Sequence, residues 1–376
     1  MAVFYRGNKM KKILIITNIP SPYRVDLFYY MQTHIKEYKI YLMYCAREAD
    51  NRCWHFDENK LVNTIFAKAR VVSIRRKFDT KHIYIPKGIQ REISRINPDV
   101  VIGWEYNPVA ILALYWCKIH KKKYISLTDG TLYSERNINL IQRATRKVIT
   151  KQCDAAIASS TKAKEKLLKW GLQEKKIFVS LLTVDIEKIC KSKTHPEQGR
   201  LLYVGSMIER KGLDLLISAL KYINVEFKLR IVGNGSEAEI EELKNRAKSA
   251  KVENKIYFCG FLEGAELIEE YQKAQAFILP TREDCFGLVL LEAACAGVPI
   301  ISSKYADGAY DVIVDGENGL IIDPYNSKEF GSTIEKVLTG EVVLNAQREE
   351  VVRKFSFSEV TKGYVNAINY VLKGEK

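Results

Sequence analysis

Short apolar runs alternate with segments of helical length along nearly the whole chain, and this alternation limits the possible folds more than any other feature. The runs are apolar at consecutive positions rather than at every second one, which predicts strands buried on both faces. Strands of that kind, separated by helices, are typical of parallel sheets covered on both sides. The predicted strands span residues 11–18, 38–45, 69–74, 99–105, 123–129 and 154–160, then 200–206, 228–235, 255–261, 276–281, 299–303 and 319–323.

The length of the chain, 376 residues, predicts more than one hydrophobic core. The stretch KSKTHPEQG at 191–199 is polar, contains proline and glycine, and has the composition of a linker. We therefore predict an N-terminal domain at 1–190, a C-terminal domain at 191–355, and a helix at 356–376 that packs back on the N-terminal domain. Both domains are predicted to be doubly wound α/β units that face each other across a cleft. Ligands of such sheets bind at the carboxyl ends of the strands.

The charge of the chain is unevenly divided between the two predicted domains. Residues 1–190 hold 35 Lys and Arg against 17 Asp and Glu, whereas residues 191–376 hold 24 against 28. A basic half is compatible with nucleic acid, an anionic membrane or a phosphorylated substrate, and also with an ordinary solvated surface. No helix-turn-helix, zinc or RNA-binding sequence pattern is present, which argues against nucleic acid.

One helical segment carries several of these cations. In NLIQRATRKVITKQ, helical spacing places Arg143, Arg146 and Lys147 on one face, opposite Leu140 and Ile141. A basic amphipathic surface of this kind predicts contact with an anionic membrane or with a lipid diphosphate acceptor.

The cysteines and the N-terminus indicate the compartment. The eight cysteines include no CxxC pair, so we expect neither a zinc site nor a redox motif, and no metal. The first apolar run is too short for an export signal. We therefore expect a cytoplasmic protein.

Two glycine-containing turns follow predicted strands of the C-terminal half. In YVGSMIERKGLDLLISAL the strand ends at Gly205, and Arg210 and Lys211 stand where the next helix opens. Helix N-termini favour anions, so the segment is either a phosphate cradle or an ordinary turn with solvated charges. In LRIVGNGSEAEIEEL, Gly233 allows close approach of the backbone to a ligand, or forms a simple turn.

The segment DCFGLVLLEAACAGVPII contains an acid, Glu292, within an otherwise apolar helix. A carboxylate buried there without a partner is costly, whereas the two hydroxyl groups of a sugar can both donate to it. The residues before the helix, Cys285, Phe286 and Gly287, offer backbone N–H groups to an anion. One short element is therefore predicted to bind both a sugar diol and a phosphate.

This segment resembles the signature of family-4 (group 1) retaining glycosyltransferases, in which an acid, seven residues and a Glu precede small residues, Gly and Pro. Four further segments are similar to the family in the same order: YVGSMIERKGLDLLISAL, LRIVGNGSEAEIEEL, KIYFCGFLEGAELIEEYQKAQAFILPTRED and VIVDGENGLIID. The resemblance covers essentially the C-terminal half and extends more loosely to ILIITNIPSPYRVDLF. It implies the GT-B fold, which consists of two Rossmann-like domains across a cleft.

The resemblance also implies roles for individual residues. Glu292 is expected to hold the ribose hydroxyls, and Lys211 to neutralise the diphosphate. Backbone groups of Phe286, Gly287 and Leu288 are expected to contact phosphate and donor sugar. The remaining expected contacts to the nucleotide sugar come from Gly205, Ser206, Arg210, Gly233, Phe261 and Cys285.

Three positions depart from the family pattern. Asp284 stands where the family usually has Glu, and Ser206 stands where it usually has Arg. Asp129, in SLTDGT, lies near the position of a histidine that many members carry, and it either orients the donor or acceptor or is a turn residue before Gly130. Of these, Asp284 and Asp129 join Lys211 as candidate catalytic residues. Arg24, in the loop that follows the first strand, is a candidate acceptor contact, or it has a capping role or forms a surface ion pair.

The implied activity is transfer of a sugar from a UDP or GDP sugar to a lipid-linked or glycan acceptor at the inner membrane face, with no cofactor. Another GT-B enzyme, such as a nucleotide-sugar epimerase, is the first alternative, because spacing alone does not exclude acid and base groups aimed at the sugar. A basic nucleic-acid-binding protein is the second.

Overall fold

The computed structural model describes residues 10–47, 55–75, 80–190, 195–345 and 348–374. In the N-terminal half, the strands are β1 (Lys11–Thr17), β2 (Tyr38–Tyr44), β3 (Thr64–Phe66), β4 (Lys68–Arg75), β5 (Thr80–Lys87), β6 (Val100–Trp104), β7 (Lys123–Thr128), β8 (Ala155–Ala158) and β9 (Ile177–Val179). The helices are α1 (Pro22–His34), α2 (Ile89–Ile96), α3 (Pro108–Ile119), α4 (Leu140–Gln152), α5 (Thr161–Lys169) and α6 (Ile186–Cys190).

The C-terminal half repeats the alternation. Its strands are β10 (Arg200–Val204), β11 (Lys228–Val232), β12 (Ile256–Gly260), β13 (Ala276–Leu279), β14 (Ile300–Ser303) and β15 (Gly319–Ile322). Its helices are α7 (Leu213–Leu220), α8 (Glu237–Ser249), α9 (Gly264–Lys273), α10 (Leu288–Ala296), α11 (Ala309–Val312), α12 (Ser327–Thr339), α13 (Arg348–Phe355) and α14 (Phe357–Lys373).

Two parallel sheets form the cores of the two halves. The first has the strand order β3-β2-β1-β6-β7-β8-β9 and the second β12-β11-β10-β13-β14-β15. The order reverses between β1 and β6 in the first sheet and between β10 and β13 in the second, and such reversals create the crevices where ligands bind. The prediction of two doubly wound α/β units is confirmed.

The sequence interpretation was wrong for one predicted strand, and it did not predict β3, β5 and β9. The run at 69–74 was predicted to be a buried strand of the main sheet, but it lies in β4, which pairs antiparallel with β5 in a separate two-stranded sheet. Val72 in β4 is 36% exposed. A short apolar run fits either setting, because its buried neighbours come from other parts of the chain.

Helix α14 lies against the N-terminal sheet. The ring of Tyr364 meets the ring of Phe28 edge-on at a centroid distance of 6.3 Å. Ser180 donates to the carbonyl of Val360 at 2.7 Å, and Tyr38 donates to Asn369 at 2.7 Å. The chain thus crosses from the C-terminal half back to the first domain, and one cluster of buried apolar side chains includes residues of both sheets. Of the predicted linker, residues 191–194 lie outside the described residues.

Within the described ranges, no helix combines the length and the apolar character that crossing a membrane requires.

Candidate active site

The loops after β10 and β11 pack tightly against each other at the carboxyl edge of the second sheet. Gly233 has a φ of +142°, and a Cβ atom there would lie 1.9 Å from the carbonyl oxygen of Gly205. The N–H of Gly205 donates to the carbonyl of Val232 at 2.9 Å, and Ser206 follows directly. Phe261, which follows β12, is 43% exposed. This edge therefore offers backbone groups and one accessible aromatic ring to a ligand.

Lys211 and Asp284 form an ion pair at the centre of the site. Lys211 ends a short 3-10 helix, and Gly212 then takes a φ of +70° where a Cβ atom would lie 2.1 Å from the carbonyl oxygen of Pro280. This turn places Lys211 Nζ 2.5 Å from Asp284 Oδ2. Arg210 donates to the carbonyl of Glu283 at 2.8 Å.

The electrostatics of Asp284 follow from these contacts. Burial opposes ionisation of the Asp284 carboxyl group, but Lys211, Arg210 and a hydrogen bond from the N–H of Phe286 together outweigh it, so its pKa lies below the usual range. Asp284 is therefore an anion held by two cations. The two sequence-predicted catalytic residues of this domain contact each other in the ligand-free protein.

Helix α10 begins at the residues that the sequence singled out. Gly287 caps it with a φ of +79° and no side chain fills the cap, so the first N–H groups of the helix from Leu288 onward point out of its N-terminus. Phe286 is buried, and burial raises the pKa of the Cys285 thiol to about 12, which makes this thiol a poor nucleophile. The cap offers backbone donors for an anion rather than side-chain chemistry.

Glu292 lies on α10 with its side chain half-buried. Its Oε2 accepts a hydrogen bond from the hydroxyl group of Tyr271 at 2.8 Å. Burial raises the pKa of the Glu292 carboxyl group, and the bond from Tyr271 partly opposes that increase. Tyr271 was not predicted: it lies in one of the segments that resemble the family, but no role was assigned to it there.

On the N-terminal side of the cleft, Asp129 follows β7 and pairs with Arg24. Arg24 Nη2 lies 2.5 Å from Asp129 Oδ2, and Trp104 Nε1 donates to the same oxygen at 3.0 Å. Oδ1 of Asp129 is buried and has no hydrogen-bond partner among the described residues. Arg24 was predicted in a loop, with a surface ion pair as one alternative, but it lies in α1, is only 4% exposed and forms a buried ion pair.

A second unpredicted residue, Glu105, holds the loop that carries Asp129. Its Oε1 accepts hydrogen bonds from the N–H groups of Asp129 at 2.6 Å and Gly130 at 3.2 Å, and from the Thr128 hydroxyl at 3.1 Å. Glu105 has a φ of +57°, a conformation that costs free energy in a residue other than glycine. Non-glycine residues with such φ values cluster at functional sites, and here the constraint fixes the Asp129 backbone.

The predicted basic face of α4 requires a correction. Arg146 is 7% exposed and forms a bidentate pair with Glu135, with both N–O distances at 2.8 Å. Leu140 and Ile141, which were expected on the covered face, are 83% and 78% exposed. Arg146 points inward because it pairs with the buried Glu135. Asn139 caps the helix, whose first turn is exposed. Arg143 and Lys147 are exposed as expected.

The loop at 131–136 of the N-terminal domain contacts two loops of the C-terminal domain, the one that follows β13 and the one that follows β14. Thr131 donates to Asp307, Arg136 pairs with Glu283, and the Tyr133 hydroxyl donates to the carbonyl of Arg282 at 3.2 Å. The Tyr133 ring also stacks on that of Tyr305 at a centroid distance of 5.2 Å. These contacts therefore join the two domains across the cleft, next to Asp284.

Asp307 makes this contact dependent on pH. Burial raises the pKa of Asp307 to about 6, against the smaller opposing effects of Thr131 and Lys162. Because its folded-state pKa of about 6 is above its ordinary value of 3.8, the stability of the fold decreases as the pH rises from 3.8 to about 6. The full penalty is present above about pH 6 and is absent only below 3.8.

Asp307→Asn should therefore raise the thermal midpoint at pH 7.5 by a few degrees and leave it nearly unchanged at about pH 3.5, since the amide oxygen still accepts from Thr131. Thermal unfolding at both pH values tests this. Asp323→Asn is the matched control, because Asp323 pairs with Lys304 and has a lowered pKa. A fall in the midpoint of Asp307→Asn at pH 7.5 would contradict the assignment.

Across the described ranges, no group of three or more His, Cys, Asp or Glu side chains is arranged to hold a metal ion.

Comparison with known proteins gives a consistent result. Residues 185–354 match the family model described as "Glycosyl transferases group 1". The lipopolysaccharide 1,6-galactosyltransferase of Escherichia coli K12 is 23% identical over 350 residues, which cover 90% of this chain and 92% of that protein.

An uncharacterized glycosyltransferase of Methanocaldococcus jannaschii, MJ1607, is 27% identical over 181 residues, and the alignment spans about half of each chain, 47% of this one and 46% of the relative. Among solved structures, that of HepE from Anabaena in complex with UDP-glucose has a TM-score of 0.74 and 15% identity, with 95% of this chain and 99% of that chain covered. This likeness supports the fold.

Proposed function

We propose that this chain, which belongs to the group 1 glycosyltransferases and has the GT-B fold, is a family-4 retaining enzyme that moves a sugar from a nucleotide-diphosphate sugar to an acceptor hydroxyl group. The observation that carries the proposal is one continuous site at the carboxyl edge of the second sheet. There a half-buried acid, Glu292, lies on the same helix whose N-terminus opens beside the pair of Lys211 and Asp284.

The donor fits this site part by part. The ribose hydroxyls donate to Glu292, and the diphosphate lies against Lys211, Arg210 and the N-terminus of α10. The base lies along the edge formed by Gly233 and Phe261. The complex of HepE with UDP-glucose supports a uridine nucleotide, and a guanosine nucleotide is the second candidate.

Charge neutralisation at the leaving group is the main catalytic contribution in this proposal. When the diphosphate binds, Lys211 exchanges Asp284 for a phosphate oxygen, and Asp284 then accepts from hydroxyls of the donor sugar. As the bond between C1 and the phosphate oxygen breaks, negative charge develops on the diphosphate, where Lys211 and Arg210 stabilise it.

The configuration at C1 of the donor sugar is retained if the acceptor attacks C1 from the same face from which the leaving group departs. The acceptor oxygen forms the new bond to C1, and its proton passes to the departing phosphate oxygen. Asp129, with one buried oxygen that lacks a partner among the described residues, orients the acceptor or the donor sugar. Glu105 and Arg24 keep its carboxylate in place.

A donor panel tests the proposal. The protein is incubated with UDP and GDP sugars and a lipid-linked glycan acceptor, and the released nucleoside diphosphate and the anomeric configuration of the product are measured. A product with the donor's configuration is expected. Failure of every donor to bind or release its nucleotide would contradict transfer, and an inverted product would contradict retention.

The acceptor is proposed to be a lipid-linked or cell-surface glycan intermediate, as in lipopolysaccharide or polysaccharide assembly. The name of the Escherichia coli relative supports this class. We further propose that the protein acts in the cytoplasm at the inner membrane face. The exposed Leu140 and Ile141, with Arg143 and Lys147 beside them, suit an anionic bilayer, since apolar groups insert and cations bind headgroups.

The double variant Leu140→Ser, Ile141→Ser should weaken binding to anionic liposomes about tenfold, because it removes two insertable apolar side chains. Co-sedimentation with liposomes of stated phosphatidylglycerol content measures this. Val343→Ser is the control, because Val343 is also 70% exposed but lies in the C-terminal half. Equal binding of the double variant and the unchanged protein would contradict the membrane surface.

A further inference from the structure

The carboxylate of Glu292 is held from behind by a buried phenol. Tyr271 is 1% exposed, and its hydroxyl group lies 2.8 Å from Glu292 Oε2 and 3.5 Å from the carbonyl oxygen of Val289. A hydroxyl group has one proton to donate, and the shorter bond to the charged acceptor is the stronger. Tyr271 therefore donates to Oε2, and the described hydrogen bonds leave Oε1 for a ligand.

The helix that carries Tyr271 is itself anchored to the sheet. The preceding residue, Glu270, accepts from Arg230 Nη2 at 2.6 Å and from Arg200 Nη2 at 2.8 Å. These arginines lie on β11 and β10, the strands whose carboxyl ends form the site. The Tyr271 ring also packs against Phe277 of β13 at a centroid distance of 5.7 Å. The phenol is thus fixed relative to the same strands that hold the ligand edge.

We infer that Tyr271 is a positioning residue for the nucleotide: it fixes the rotation of the Glu292 carboxylate so that Oε1 faces the ribose hydroxyls. The inference rests on the proposed function, because it assumes that Glu292 binds ribose. Discrimination between a ribonucleotide and its 2′-deoxy analogue then depends on Tyr271, although the phenol does not touch the ligand.

A role in packing alone predicts something different. If Tyr271 only fills space, phenylalanine replaces it without loss, since the ring is retained. If it orients and ionises Glu292, loss of the donor has two consequences. The carboxylate becomes free to rotate, and the pKa of Glu292 rises further, because the bond from Tyr271 partly opposes the increase caused by burial. As the solution is acidified, nucleotide binding that requires the ionised carboxylate would then be lost at a higher pH than in the unchanged protein.

The test is equilibrium binding of UDP, of GDP and of 2′-deoxy-UDP to the full chain and to Tyr271→Phe, from pH 5 to pH 8. We expect UDP affinity at pH 7.5 to fall about fivefold to tenfold, the preference for UDP over 2′-deoxy-UDP to shrink, and the acid limb of the binding profile to move to higher pH. The kcat at saturating donor should change less than twofold, so the loss appears in KM.

Tyr124→Phe is the matched control, because Tyr124 is a buried tyrosine of the N-terminal sheet whose hydroxyl has no hydrogen-bond partner among the described residues. It should bind UDP normally. A double-mutant cycle adds a second readout: Tyr271→Phe should have no further effect on affinity in a Glu292→Ala background, since it acts through that residue.

The outcomes separate the two claims. If the unchanged protein binds no nucleoside diphosphate, the proposed function and this inference both fail. If it binds UDP or GDP, but Tyr271→Phe binds equally well with an unshifted pH profile, the inference alone is overturned. Additive effects of the two substitutions would also overturn it.

Discussion

Replacing Glu292 by Ala should weaken binding of the nucleoside diphosphate about 100-fold. The half-buried carboxylate is expected to accept hydrogen bonds from two ribose hydroxyls, and bonds to a charged acceptor contribute about 1.5–3 kcal/mol each. Alanine removes the carboxylate that accepts these bonds and leaves the apolar neighbours of α10 in place. Titration calorimetry with UDP and GDP measures the change.

The control for this substitution is Glu242→Ala. Glu242 is an exposed acid on α8 of the same domain and pairs only with Arg246 four residues away among the contacts described. It should bind nucleotide like the unchanged protein. If Glu292→Ala also binds normally, the acid in the apolar helix is not a ribose ligand, and the assignment of the donor site fails with it.

Lys211→Met should reduce kcat for sugar transfer about 100-fold to 1000-fold, the range found when one group that stabilises developing charge is removed. Methionine is an unbranched side chain one atom shorter than lysine, and it carries no charge. The loss should be larger in kcat than in donor affinity, because the charge on the diphosphate grows as the bond to the sugar breaks. Steady-state kinetics and donor binding, measured separately, distinguish the two.

A matched control is available on the same domain. Lys221 is an exposed lysine at the end of α7, and Lys221→Met should retain full activity. The Lys211 variant also leaves Asp284 without its closest cation, so the pKa of Asp284 should rise. A kcat within threefold of the unchanged protein would mean that the leaving group is stabilised by other groups.

The strands and the ends of the strands were predictable for a physical reason. A strand covered on both faces must be apolar at consecutive positions, and β10 and β13 show that pattern in the sequence. The turn residues after such strands lie at one edge of a parallel sheet. Lys211, Asp284 and Glu292 could therefore be assigned to one region before their contacts were known.

The orientation of α4 was not predictable in the same way. Helical spacing shows which residues share a face, but it does not show which face is covered. Arg146 was grouped with Arg143 and Lys147, which are exposed, but Arg146 points inward because Glu135, from the preceding loop, is buried beside it. The apolar residues of the first turn of α4, Leu140 and Ile141, are exposed instead.

Glu105 and Tyr271 were missed because their roles depend on partners far along the chain. Glu105 contacts a loop 23 to 25 residues away, and Tyr271 contacts an acid 21 residues away. No residue type or spacing marks a non-glycine position that takes a positive φ. Each of the two residues supports a predicted site residue, and neither was itself assigned a role from the sequence.

The most direct test of the account is a crystal structure of the protein with UDP or GDP bound, whichever binds more tightly. The account predicts the ribose hydroxyls at Glu292, the diphosphate at the N-terminus of α10 with Lys211 on a phosphate oxygen, and Asp284 released from Lys211. A nucleotide bound elsewhere, or a diphosphate that leaves the pair of Lys211 and Asp284 intact, would contradict it.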